Sequence, residues 1–206
     1  MSRYSNDDIY LDPVTGVLKN CFGIADAAIL EKTEADLVAA RSRELAQTPL
    51  IGQFDLKHLQ AIHKYLFGDL YEWAGELRTV DISKNGYTFA HHTHLSDAAK
   101  TIFENLARES CLAGLHDEAF SARAAYYLGE INALHPFREG NGRAQREFIS
   151  ALAQENEYYI AWQDIPAQEL LKASIESFIG NLSRLTGLIL KNLYFNDDYP
   201  LQHTDS

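Results

Sequence analysis

A mostly α-helical fold carrying one β-hairpin is what this sequence predicts, on three observations. Apolar residues recur at spacings of three and four along most of the chain, the period of a helix with one buried face. One segment, VDISKNGYTFAH at 80–91, alternates instead and centres on Asn85-Gly86, a favoured two-residue hairpin turn. No repeat, low-complexity tract or Pro/Gly/Ser linker divides the 206 residues, so the chain reads as a single domain, 1–206.

In chain order, residues 1–16 carry the turn formers Asp12-Pro13 and Thr15-Gly16 and read as a frayed end. Leu37, Ala40 and Leu45 predict one helix, and Leu56, Leu59, Ile62 and Leu66 the next. After the hairpin, Ser96-Asp97 opens a helix expected to hold Ile102, Leu106 and Leu112. Phe120, Ala124, Tyr127, Leu128 and Ile131 mark another, a further one runs from about Arg143 to Glu155, and Pro166 starts one that includes Ala173 and Phe178. The polar tail NDDYPLQHTDS, with Asp197-Asp198, reads as solvated, leaving a core of about 8–195.

Apolar residues make up 46% of the chain and charged residues 23%, an ordinary globular composition. The net charge of −11 opposes general nucleic-acid binding, which needs a basic surface to displace phosphate counterions. The first residues lack the pattern of a secretory signal and no stretch has the apolar length of a membrane helix, so the expected location is the cytoplasm. Cys21 and Cys111, 90 positions apart, make neither a disulfide framework nor a zinc knuckle.

The segment HPFREGNGR at 135–143 concentrates the chemistry. Gly140 and Gly142 precede a helical segment, where free amides cradle an anion and a missing side chain lets it come close. Arg143 and Arg146, three apart on that helix, offer forked donors to a polyphosphate. Glu139 adds the carboxylate with which a hard cation such as Mg²⁺ is held beside phosphates. His135 titrates near neutrality and suits removal of a proton from an attacking hydroxyl, while Pro136 and Phe137 stiffen and anchor the loop.

These residues resemble the signature of the Fic family, HPFx(D/E)GNGRxxR, with His135, Pro136, Phe137, Glu139, Gly140, Asn141, Gly142, Arg143 and Arg146 in place. EINALHPF, FGDLYEWAGELRTVDI and KASIESFIGN are also similar to Fic-domain sequence, most of all to bacterial Fic toxins of the toxin–antitoxin type. The resemblance implies transfer of AMP from Mg²⁺-ATP to a Ser, Thr or Tyr hydroxyl of a target protein. In it His135 is the base, Glu139 the Mg²⁺ ligand, and Gly140, Asn141 and Gly142 the anion hole. Arg143 would contact phosphates or ribose and Arg146 the γ-phosphate. The hairpin 80–91 would be a flap that pairs with the target, with Ser83 and Lys84 touching nucleotide.

Many relatives carry an inhibitory (S/T)xxxE(G/N) helix. Here the Glu-Asn and Glu-Gly pairs begin at 104, 139 and 155, and Lys100, His135 and Ala151 stand four residues before them, so none fits. The resemblance therefore implies inhibition by a small antitoxin in trans, with type II topoisomerase subunits as the expected targets. Rival readings are a Fic-fold phosphotransferase or UMP-transferase and a non-catalytic module that docks partners on the hairpin. His91, His92 and His94 invite a metal, but the sequence offers them no evident carboxylate partner and they read as hairpin surface. Trp73 reads as core, with Glu72 and Glu76 facing solvent.

Overall fold

The computed structural model describes residues 8–84 and 86–196. Among them are seven α-helices, α1 (Ala27–Gln47), α2 (Leu56–Phe67), α3 (Leu95–Arg108), α4 (Asp117–Leu134), α5 (Asn141–Glu155), α6 (Ala167–Phe178) and α7 (Ser183–Lys191), and two short antiparallel ladders. The expected hairpin is β1 (Ser83–Lys84) against β2 (Tyr87–Thr88), with Gly86 at φ 83°. Asn85 and the terminal stretches 1–7 and 197–206, including Asp197-Asp198, lie outside the described residues.

Helix α4 is the axis of the core. Its residues Phe120, Ala124, Ala125, Tyr127, Leu128, Ile131 and Leu134 are buried almost all round, because α3, α5, α6 and α7 pack against it from different sides. Such a helix delivers its C-terminus to the middle of the molecule, and His135 follows at once. Helices α1 and α2 begin where Asp26 and Asp55 accept amide hydrogen bonds from their first turns. On α1 the buried stripe is Leu30, Glu34, Val38 and Leu45, so the helix is rotated from the expected face and a carboxylate sits within it.

Three expectations need correction. Leu112 is buried but outside α3, because Ser110, Cys111 and Leu112 take φ of 53°, 50° and 64°, a left-handed run that no α-helix continues through. Within 1–16, Asp8 and Tyr10 are buried rather than frayed. A second antiparallel ladder joins β3 (Tyr158–Ile160) to β4 (Leu193–Phe195), tying the segment after α5 to the end of α7. These three-residue strands lie on either side of α6 and α7, so no turn signal announces them. Neither did the reading find α7, which buries Leu185 and Ile189.

Trp73 packs flat on Tyr71 with centroids 4.4 Å apart, and Glu72 and Glu76 are exposed, as expected. Cys21 and Cys111 are free thiols. No helix among the described residues is long and apolar enough to cross a membrane.

Candidate active site

The loop between α4 and α5 is held by side chains that come from far along the chain. His135 closes α4 in the left-handed conformation, φ 48° and ψ 61°. The buried Arg78 guanidinium grips the turn: its Nε donates to the His135 carbonyl at 2.8 Å and its backbone N–H to Pro136 O at 2.9 Å. The same guanidinium donates to Val80 O at 2.7 Å and to Ala90 O, at the two stems of the hairpin. One side chain therefore fixes loop and hairpin to each other.

His63 sits between Phe67 and Phe137, with centroids 4.7 and 3.8 Å away. Its Nδ1 accepts from Gly75 N–H at 2.9 Å, which leaves Nε2–H to donate to Glu139 O at 2.9 Å. Burial pushes this imidazole down to about 4, keeping it neutral. Arg138 donates from Nε to the Asp8 carboxylate at 2.9 Å, a pair with side chains only 1% and 3% exposed. The Asn141 side chain closes the turn on itself, accepting from Phe137 N–H at 2.9 Å and donating to Phe137 O at 2.7 Å. What Asn141 can offer an anion is thus its backbone amide.

The two motif glycines are required for different reasons. At Gly140, φ is 78° and an added Cβ would lie 2.3 Å from Phe67 Cζ, so both backbone and packing exclude a side chain. Gly142 is exposed and helical, and its nearest neighbour would be Arg146 Nη1 at an ordinary 3.4 Å. Nothing in the fold demands glycine there, and a helix would be firmer with alanine. The position keeps clear a space that the protein itself does not fill.

That space is a cleft of about 320 Å³. His135, Glu139, Asn141, Gly142 and Arg146 form its floor, Lys84, Tyr87 and Phe89 of the hairpin one wall, and the Leu170–Phe178 face of α6 the other. No side chain caps the first turn of α5, so its positive end opens on this floor. Burial and the neighbouring Arg143 lower the Arg146 pKa, and no carboxylate among the described residues forms an ion pair with it. Both features suit an anion.

His135 lies flat on Phe89, centroids 3.7 Å apart at 14°. Its Nδ1 donates to Asn132 O at 3.2 Å, since a carbonyl can only accept, and Nε2 is left with the lone pair. Burial, with lesser contributions from Lys84 and Arg78, pushes the imidazole down to about 3. It is therefore a neutral proton acceptor, and negative charge brought into the cleft would strengthen its basicity.

Of the nine residues singled out, the structure brings His135, Lys84, Glu139, Asn141, Gly142 and Arg146 to the cleft, with Gly140 beneath them as the buried turn. Ser83 points elsewhere: it is exposed and 3.4 Å from Thr88 Oγ1 across the hairpin. Arg143 leaves the cleft lining too. Its guanidinium pairs with Glu34 of α1 and lies 4.8 Å over Phe67, while Tyr71 O–H donates to the other Glu34 oxygen at 2.5 Å. The sequence reading missed Glu34, His63, Arg78 and Asp8. A charged residue on the apolar stripe of α1 was the one available signal, and it pointed to no partner.

Glu139 is half-buried on the floor, and one of its oxygens accepts from Gly140 N–H at 3.1 Å. The other is free to bind a cation, which fits a hard ion held by one carboxylate and phosphate oxygens.

Comparison with known proteins agrees with this geometry. The profile of the Fic/Doc family matches residues 53–153. Protein adenylyltransferase VbhT of Bartonella schoenbuchensis is 52% identical over 194 residues, 94% of this chain; the chain spans 41% of that protein's length. The probable protein adenylyltransferase Fic of Salmonella typhimurium is 37% identical over 89% of this chain and 91% of its own. The crystal structure of BepC from Bartonella tribocorum, with bound AMPPNP, superposes with a TM-score of 0.87 at 27% identity, covering 93% and 99% of the two chains. The motif, the fold and similarity along most of this chain converge, and the chain belongs to the Fic/Doc family.

Proposed function

We propose that this chain is a protein adenylyltransferase, joining AMP from ATP to a hydroxyl of another protein. The observation that carries the reading is one cleft holding a neutral imidazole with its Nε2 lone pair free, an uncapped helix N-terminus and an arginine with no ion-paired carboxylate among the described residues. Relatives named adenylyltransferases and a neighbour crystallised with a nucleotide analogue support the same reading.

In the reaction, the target's Ser, Thr or Tyr oxygen forms a bond to the α-phosphorus while the bond from that phosphorus to the pyrophosphate oxygen breaks. His135 Nε2 takes the hydroxyl proton. The first-turn amides of α5 and Arg146 steady the phosphates, which a side chain at 142 would push away. Glu139 would hold Mg²⁺, which when bound neutralises phosphate charge. The apolar face of α6 suits the flat base. Lys84 reaches in from the hairpin, whose exposed edge would pair with an extended segment of the target. Ser83 and Arg143, off the cleft in this structure, would join the nucleotide only after a rearrangement of the hairpin and of the Glu34 pair.

The resemblance to toxin–antitoxin Fic proteins adds the finer reading. The chain acts in the bacterial cytoplasm on type II topoisomerase subunits, and a small antitoxin supplies in trans the carboxylate that Arg146 lacks.

The test is label transfer from α- and, separately, γ-labelled ATP into bacterial lysate, wild type against His135→Ala. Label from the α position alone, lost in the variant, is expected. Label from the γ position would make the protein a phosphotransferase, and none from either would overturn the adenylyl reading.

A further inference from the structure

The two stems of the hairpin bring together Asp81, His91 and His92, of which the sequence alone left the two histidines as surface. His91 Nε2 is 2.9 Å from one Asp81 oxygen, and His92 Nδ1 is 3.0 Å from the other. One ligand atom from each residue falls within 4.8 Å of the others. The missing element in the sequence was a carboxylate near the histidines, and the fold supplies it from the opposite stem.

We propose that Asp81, His91 and His92 form a site for a divalent transition metal of the zinc type, which clamps the base of the hairpin. Two imidazoles and a carboxylate are the donor set such ions take, with solvent in the fourth position. Tetrahedral ligands around zinc stand about 3.3 Å apart, so the contact of His91 Nε2 with its Asp81 oxygen needs to open by only a few tenths of an ångström, and His92 Nδ1 lies within 4.8 Å of both ligand atoms.

An outer partner is also in place. His91 Nδ1 lies 2.8 Å from Thr93 Oγ1 and accepts from Thr93 N–H at 3.4 Å; metal binding through Nε2 moves the proton to Nδ1, which gives up that long backbone contact and donates to the hydroxyl. His92 N–H donates to Asp81 at 2.8 Å and orients the carboxylate. The Arg78 guanidinium, 3.7 Å from the oxygen nearest His92, works against a cation, so the oxygen facing His91 is the better ligand. His94, with its ring 5.8 Å from that of His91, stands outside the set.

A metal here would join residue 81 to residues 91 and 92 across the whole hairpin, and so limit how far it opens. The proposal stands whether or not the chain transfers AMP. A second group, His116, Asp117 and Glu118, is a run of adjacent exposed residues that spans nothing, and it serves as the internal control.

The experiment is titration of the tag-free, full 206-residue chain with Co²⁺, read by visible absorbance and displaced by Zn²⁺. One saturable equivalent is expected. His91→Gln, His92→Gln and Asp81→Asn should each weaken it at least about tenfold, and His116→Gln should not. Zinc should also slow trypsin cleavage after Lys84 in wild type but not in His92→Gln. Melting curves confirm that each variant is folded, and Asp81→Asn keeps the side chain's shape. No saturable binding, binding indifferent to His91→Gln and His92→Gln, or equal loss in His116→Gln would overturn the site; unaltered cleavage would overturn the clamp.

Discussion

The loop 135–140 and the hairpin 82–90 face each other across one cleft, yet they are held in opposite ways. Every turn of the loop is fixed by a buried partner: Asp8 on Arg138, His63 on the Glu139 carbonyl, Arg78 on the His135 carbonyl, Phe67 beneath Gly140. The hairpin is anchored at its stems, where Ile82 is buried and Arg78 and Ala133 hold Ala90, but its strands have two residues each, with Ser83, Lys84 and Thr88 exposed, and between the stems it rests on the protein through Tyr87 and Phe89 against Phe178 and His135. Chemistry at phosphorus tolerates little misplacement, so its groups stand on an overdetermined scaffold. A surface that must accept an incoming chain gains from being loosely held.

The sharpest test of this contrast is His135→Asn. Asparagine tolerates the left-handed backbone, so stability should hold while transfer of label falls by about 10²- to 10⁴-fold. A large fall in melting temperature would show that the imidazole is structural. Next comes Gly140→Ala, expected to cost about 2–3 kcal/mol in denaturant unfolding, because the added carbon collides with Phe67 in a backbone that disfavours it. Gly142→Ala should split the two properties. Its melting temperature should stay level or rise, as alanine favours helix, whereas its transfer rate should drop at least about tenfold. A Gly142→Ala variant with full activity would mean that phosphate does not approach this turn.

A pH effect should follow the loop rather than the hairpin. His63 and His135 are held to about 4 and 3 in the fold, below the ordinary histidine value, by burial, and burial also lowers His58. The unfolded chain therefore binds protons that the fold does not, and stability should fall as pH drops below about 6.5, by about 1.4 kcal/mol per pH unit for each such histidine. Thermal melts from pH 7.5 to 4.5 would read it, and His63→Gln should have a shallower slope. Smallest of all, Ser83→Ala and Lys84→Ala should change unfolding free energy by less than about 0.5 kcal/mol. If they cost as much as Gly140→Ala, the hairpin is not the soft wall described above.

Much of this was legible in the sequence. The periodicity of α2, α4, α5 and α6, the hairpin turn and the signature from His135 to Arg146 are local patterns, readable because period and spacing are properties of neighbours. What stayed hidden were partnerships across the chain. Glu34 is 109 residues from Arg143, and Asp8 is 130 from Arg138. His63 looked like one more residue on a helix face until Gly75 and Glu139 closed on it. Arg78 lay within a stretch read as typical of the family, but its grip on both hairpin stems is a fact of tertiary contact. The reading of Arg143 as a nucleotide contact rested on its helical spacing from Arg146 and on its place in the signature, and neither could reveal that α1 would offer it a carboxylate.

The pair of Asp8 and Arg138 carries one more lesson. Position 138 is the one the signature leaves open between Phe137 and Glu139. In this chain it is among the least free. Its charge is sealed away from water and answered by a residue near the chain's beginning, so removing either partner alone would strand an ion in the interior. The two positions can change only in step. A signature records what a family shares, and the positions it leaves blank are where each member's own architecture is written.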